Sequence, residues 1–223
     1  MYATISLTAT EINTRMAGVY KYMSLAVLVS MLTSYLVGTT PELVNYLFSG
    51  ITKWIVIFAP LAAVLAISWA LNYQLSKNLA ILLLILFAVV MGLSFSAIFI
   101  AYSLGNIFSA LMSAGILFIT MSGYGYFTKN SLDSIGKYMF IGLISIIIAS
   151  IVNIFIGSSI FTMVISSLAI IIFLGLTAYD SQRIREMIAN NQHNVEIIGA
   201  LTLYLNFINI FINLLQLFSE KKS

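Results

Sequence analysis

Along this chain, apolar runs too long for strands alternate with short clusters of Gly, Pro, Ser, Thr and Asn. Each run covers about 20 residues, the length that carries a helix across about 30 Å of hydrocarbon. The runs predict seven transmembrane helices, at 17–38, 54–71, 79–104, 107–127, 138–156, 160–179 and 197–218. Thr8-Ala9-Thr10-Glu11 fits a capping box, so a short interfacial helix is expected to lead into the first span. Gly38-Thr39-Thr40-Pro41 ends that span, and Pro60 falls inside the second. There it predicts a kink and a freed carbonyl that a neighbouring helix must satisfy. Only Gly105-Asn106 divides the third span from the fourth, and a polar linker from Thr128 to Lys137 precedes the fifth. Gly157-Ser158-Ser159 turns the chain into the sixth, which is expected to continue through 181–189 and stop at Asn190 or Asn191. The pattern reads as a single all-α integral membrane domain over residues 1–223.

Polar residues inside these spans are the next signal. Thr202, Asn206, Asn209, Asn213 and Gln216 stand four, three, four and three residues apart, one stripe down an otherwise apolar seventh helix. Lipid penalises such a stripe, so it must face protein or water, and the centre of a helix bundle is the best place for it. Two readings stand side by side. The amides are interhelical hydrogen bonds, worth about 0.6–2 kcal/mol each, or they line a polar path. Small residues recur at helical spacing elsewhere: Gly92 with Ser96, Ser109 with Ser113, and Gly142 with Ala149 and Asn153. These read as faces that let helix backbones approach closely. Tyr124 and Tyr126 read as interfacial aromatics.

Asp180 is the ionisable group that stands out. It follows the apolar run from Phe161 through Phe173-Leu174, and Arg183 and Arg185 come directly after it. A carboxyl at mid-bilayer costs about 2.5–3.5 kcal/mol, less near the surface, so it needs a partner. Interfacial solvation or an ion pair with Arg183 is one account, and a functional site is the other.

Composition narrows the class. Apolar residues make up 61% of the 223 and charged residues only 8%, against about 25% charged in soluble domains. The lipid bilayer is therefore the expected surroundings. The net charge of +3 does not point to nucleic acid, because the basic residues lie in loops. There is no cysteine, which excludes disulfides, thiolate metal sites and thiol catalysis. The lone histidine, His193, sits among Asn190, Asn191, Gln192 and Asn194 and reads as a solvated side chain. No acid pair, Ser–His–Asp set or phosphate loop is present, so an enzyme is not expected, and neither is a cofactor. The N-terminal segment lacks the short apolar core of a signal peptide. With the N-terminus inside, Arg15, Lys21, Lys77, Lys129, Lys137, Arg183 and Arg185 fall on the inner side and Lys53, Lys221 and Lys222 outside. The positive-inside rule then expects a multi-pass protein with a cytoplasmic N-terminus and Asp180 at the cytoplasmic face.

Several segments together resemble the Bax inhibitor-1 family in its bacterial branch. They are Arg15-Met16 to Tyr20 with Met23, Ala59-Pro60-Leu61, and Met91-Gly92-Leu93-Ser94 with Ser96. Further on come Gly123-Tyr124-Gly125-Tyr126-Phe127-Thr128-Lys129, Asn153, Gly175-Leu176-Thr177-Ala178-Tyr179-Asp180 and Leu203-Tyr204-Leu205-Asn206-Phe207-Ile208-Asn209. The resemblance implies six helices wrapped around a central seventh, and a pH-sensitive Ca²⁺ leak in the bacterial inner membrane, with Ca²⁺ and protons as the partners. It also implies a sensor of two aspartates near the cytoplasmic side. Asp180 matches the first, but Asn206 occupies the position of the second.

That departure matters. Two close carboxylates share a proton and titrate as a coupled pair, which an amide cannot do. The second span also lacks the arginine that latches the sensor in some relatives, Lys53 lying at its opposite end. Asp180 is thus expected to rest on Asn206 or to turn to Arg183, with Thr202, Asn209 and Asn213 as further stripe residues. Any Ca²⁺ site at Asp180 is expected to be weak, since Ca²⁺ takes six to eight oxygens. The alternative function is a non-conducting regulator that binds other membrane proteins, such as a membrane-embedded AAA protease.

Overall fold

The structure is a computed structural model that describes residues 7–71 and 75–219. Lys221 and Lys222, counted above for orientation, lie outside the described residues. Among the described residues the secondary structure is helical, without strands, and seven helices are long and apolar enough to cross a membrane. In chain order the helices are α1 (Ala9–Gly38), α2 (Pro41–Leu47), α3 (Thr52–Leu71), α4 (Lys77–Phe95), α5 (Ile98–Ala101), α6 (Leu104–Phe127), α7 (Asp133–Ile156), α8 (Ser159–Ala189) and α9 (Val195–Ser219). The fold is that of an all-α membrane protein.

Helix ends follow local chemistry. Thr8 caps α1 with a full capping box: its hydroxyl accepts from the Glu11 N–H, and the Glu11 carboxylate accepts from the Thr8 N–H at 2.7 Å. Pro41, which stops the first span, also opens the short α2, a helix the apolar runs did not announce. The break expected at Gly105-Asn106 lies earlier, at Tyr102-Ser103, because α6 starts at Leu104. Gly157 ends α7 in the left-handed region at φ +67°. Asn153 then builds the turn, accepting from the Ser158 N–H and donating to Thr162 Oγ1 at 2.7 Å. Helix α8 runs unbroken to Ala189, and Asn191 follows at φ +51°.

The chain forms two compact units. The first holds α1 to α5 and residues 187–204. Its helices approach closely where side chains are small: a Cβ on Gly92 would lie 2.7 Å from the Ser30 carbonyl oxygen of α1. Pro60 cannot donate to the Val56 carbonyl four residues back, and Ser94 of α4 donates its hydroxyl to that oxygen instead. Ser30, 3% exposed, sits within hydrogen-bond distance of the Ala88 carbonyl at 2.8 Å, the Ala26 carbonyl at 2.9 Å and the Tyr204 hydroxyl at 2.8 Å. A serine has one proton, which goes to a carbonyl, so Tyr204 is the donor to Ser30. Tyr204 is fully buried, its ring edge-on to Phe87.

The second unit holds α6, α7, residues 159–186 of α8 and residues 205–219 of α9. Here Gly125 leaves room for the Ala178 carbonyl, and a Cβ on Gly136 would lie 2.6 Å from the Tyr179 ring. Gly142 packs on Ile172, whereas Ser109 is exposed rather than part of a contact face. Helix α9 contributes to both units and is the most buried of the seven spans, with 67% of its most apolar stretch buried. Large apolar side chains such as Phe155, Ile154 and Ile119 remain exposed, as the surroundings of lipid allow.

Candidate functional site

In the second unit, Asp180 is half-buried near the end of the apolar part of α8. Asn206, 5% exposed on α9, donates its amide N–H to Asp180 Oδ2 at 2.7 Å. Arg183 lies on the exposed side of α8 and forms no ion pair with Asp180 among the described residues. Its helical offset from Asp180 puts the guanidinium close enough to act through space, but the carboxylate has turned to the amide.

The segment around Asp180 is fixed by neighbours on both sides. Ser181 and Ser122 of α6 share a buried hydroxyl–hydroxyl hydrogen bond of 2.8 Å. Gln182 accepts from the Leu132 N–H at 2.8 Å and donates to the Asn130 carbonyl at 2.9 Å, so one side chain satisfies the entrance to α7. Arg185 donates to the Tyr126 carbonyl at 2.7 Å and lies over the Tyr126 ring. The residues Ser181-Gln182 and Arg185 thus anchor the end of α8 against the Gly123–Lys129 segment and the linker that follows. The sequence singles out Tyr126 as an interfacial aromatic and includes Gln182 in the stretch around Asp180 without assigning it a partner. The available signal was an uncharged amide two residues after Asp180.

The remaining stripe residues behave differently. Thr202, in the first unit, donates to the Ile198 carbonyl at 3.0 Å. Asn209 donates to the Leu205 carbonyl and Asn213 to the Asn209 carbonyl, both at 2.8 Å. These are bonds to each residue's own helix, so the interhelical reading of Asn209 and Asn213 is replaced by a local one. The donors lie one turn from carbonyls that a helix always presents, and no partner helix is required. Their side-chain carbonyl oxygens accept no hydrogen bond among the described residues. Gln216, by contrast, accepts from Ser166 of α8 at 2.7 Å.

A second polar cluster lies in the first unit. Arg15 grips the α8–α9 connection through Glu196 at 3.0 Å, the Asn191 side chain at 2.8 Å and the Gln192 carbonyl at 3.2 Å. His193 and Asn194 both hydrogen-bond the Leu75 carbonyl at 2.9 Å, so His193 is tied to the backbone rather than merely solvated. Among the described residues no group of three or more His, Cys, Asp or Glu could hold a metal ion. Asp180 and the stripe can offer a cation one carboxylate and several amide oxygens, a set too small for tight Ca²⁺ binding.

Comparison with known proteins agrees with this architecture. The family model described as inhibitor of apoptosis-promoting Bax1 matches residues 12–223. The inner membrane protein YbhL of Escherichia coli is 34% identical over 219 residues, covering 95% of this chain and 93% of that protein. An uncharacterized protein of Borreliella burgdorferi is 37% identical over 219 residues, with 95% and 94% covered. A third relative, from Rickettsia prowazekii, is 32% identical over 212 residues, with 93% and 89% covered. A multi-pass helical protein matched along nearly its whole length in this way belongs to the Bax inhibitor-1 family of membrane proteins.

Proposed function

We propose that the chain is a transporter rather than an enzyme, letting cations, Ca²⁺ among them, leak across a bacterial inner membrane along α9. The N-terminus and Asp180 lie at the cytoplasmic side in this reading, and Asp180 with Asn206 forms its gate. The observation that carries it is the buried Asn206 amide held 2.7 Å from the Asp180 carboxylate near one end of a polar stripe. An ionisable group near the membrane edge whose hydrogen bond goes to a neutral side chain suits a weak and transient cation site. The side-chain oxygens of Asn209 and Asn213, which accept no hydrogen bond among the described residues, extend that path. The inner-membrane placement rests on the likeness to YbhL, and the sidedness on the distribution of Lys and Arg.

The test is Ca²⁺ flux into liposomes carrying the purified protein, with and without Asp180→Ala. Loss of most of the flux is expected, and equal flux removes Asp180 from the gate. With Asn206 in place of an acid, flux is expected to vary little over a pH series. Asn206→Asp creates two adjacent carboxylates that share a proton, and should introduce a pH-dependent step. An unchanged pH profile in that variant rejects the proton-sharing argument. The same Asp180–Asn206 pairing, lacking a second acid, also suits a non-conducting regulator of membrane proteins such as an AAA protease. Co-purification with the protease, undiminished by Asp180→Ala and accompanied by no flux, would select that reading.

A further inference from the structure

Among the described residues, hydrogen bonds tie the stripe on α9 to α8 at two points, Asn206 to Asp180 and Gln216 to Ser166. Between them Asn209 and Asn213 bond their own backbone. The Ser166 contact departs from the local habit. Ser145, Ser150, Ser167 and Thr177, all on α7 or α8, donate to the carbonyl four residues back on their own helix. Ser166 had the same option at Thr162, yet it is 1% exposed and gives its proton to Gln216 Oε1 at 2.7 Å. The fourteen residue steps from Ser166 to Asp180 span about 21 Å of helix at about 1.5 Å per residue, most of the hydrocarbon thickness. The two contacts therefore sit near opposite ends of the stripe's membrane passage.

We propose that the Ser166–Gln216 hydrogen bond is a second control point, closing the far end of the cation path that Asp180 and Asn206 close at the near end. This rests on the conduction reading given above. With the bond made, the Gln216 oxygen is occupied and the seam is sealed against α8. With it broken, Gln216 swings free and the Asn209 and Asn213 oxygens open toward the far side. The near contact carries a charge and responds to cations, whereas the far one is neutral and sets only a basal leak.

Ca²⁺ flux into liposomes is measured for the wild type, Ser166→Ala, Gln216→Leu and the double variant, with thermal unfolding of each followed in parallel. Either single change should raise flux about threefold, the factor that about 0.6 kcal/mol of membrane hydrogen bond converts to. The double variant should rise no further, because both changes break the same bond. Ser166→Ala removes a single oxygen and keeps the measurement available should Gln216→Leu fail to fold. Wild-type flux with the Ser166→Ala rate unchanged overturns the second control point and leaves the conduction reading standing. Additive increases in the double variant overturn it too, since they point to general loosening of the helices. Absence of flux in every protein sinks the conduction reading and this proposal with it.

Discussion

What separates Asn206 from its neighbours on the stripe is where its N–H goes. Asn209 and Asn213 spend theirs on their own backbone, whereas Asn206 donates to a carboxylate. Hydrogen bonds to charged groups contribute about 1.5–3 kcal/mol, roughly twice the neutral value. Asn206→Ala should therefore destabilise the protein by about 1–3 kcal/mol, and Asn209→Ala by clearly less, as measured by thermal or detergent unfolding. Equal losses would mean that the Asp180 contact adds nothing beyond a backbone bond. The existence of the stripe and the exceptional place of Asp180 were legible in the sequence, because lipid penalises any polar group and spacing shows which ones share a face. Which amide reaches another helix was not legible. That choice depends on the rotamer and on the side chain opposite, and Ser166 gives no sign in sequence that it differs from Ser167.

Among the elements, the pairing of α3 with α4 shows how one defect requires one remedy. Pro60 frees the Val56 carbonyl, and Ser94 supplies the missing proton. Ser94→Ala should cost about 1–3 kcal/mol by leaving a carbonyl unsatisfied in hydrocarbon. In a Pro60→Ala background the amide at position 60 restores the helical bond, so the same Ser94 change should cost distinctly less. A double-mutant cycle with no coupling between the two positions would refute this account. The need for such a partner is readable from Pro60, but its identity is not, because it sits 34 residues away at a contact set by packing. Boundaries show a similar split. Gly157 and Asn191 mark helix ends where a left-handed backbone is needed. Gly105 and Asn106 lie instead in the first turn of α6, where backbone N–H groups have no helical partner in any case and both residues are well tolerated.

For the whole molecule, the contacts within each unit tie helix connections together. Arg15 meets the connection around Asn191 and Glu196, His193 meets Leu75, and Gln182 meets Leu132 and Asn130. The orientation proposed above, with the N-terminus cytoplasmic, rests on the distribution of Lys and Arg. A phosphatase that is active only outside the cytoplasm, fused to the C-terminus of this chain, should be active, and the same enzyme fused before α1 should be silent. The reverse pattern would invert the membrane orientation. Arg15→Ala should loosen the α8–α9 connection, seen as faster proteolysis near His193. No change in cleavage there would show that the Glu196 bridge does not hold it.

The sharing of α9 between the two units carries a consequence for how the protein is made. This helix leaves the ribosome after the other six spans, and its row of amides makes it the one least suited to rest alone in lipid. Until it arrives, neither set of earlier helices has the surface it packs against, so both must wait in the bilayer as unfinished products. Chains halted just before Val195 should insert six spans yet be cleared rapidly by membrane quality control in a pulse-chase experiment. Supplying residues 195–219 as a separate peptide should prolong their lifetime. A halted chain as long-lived as the complete one would show that the earlier helices assemble without it.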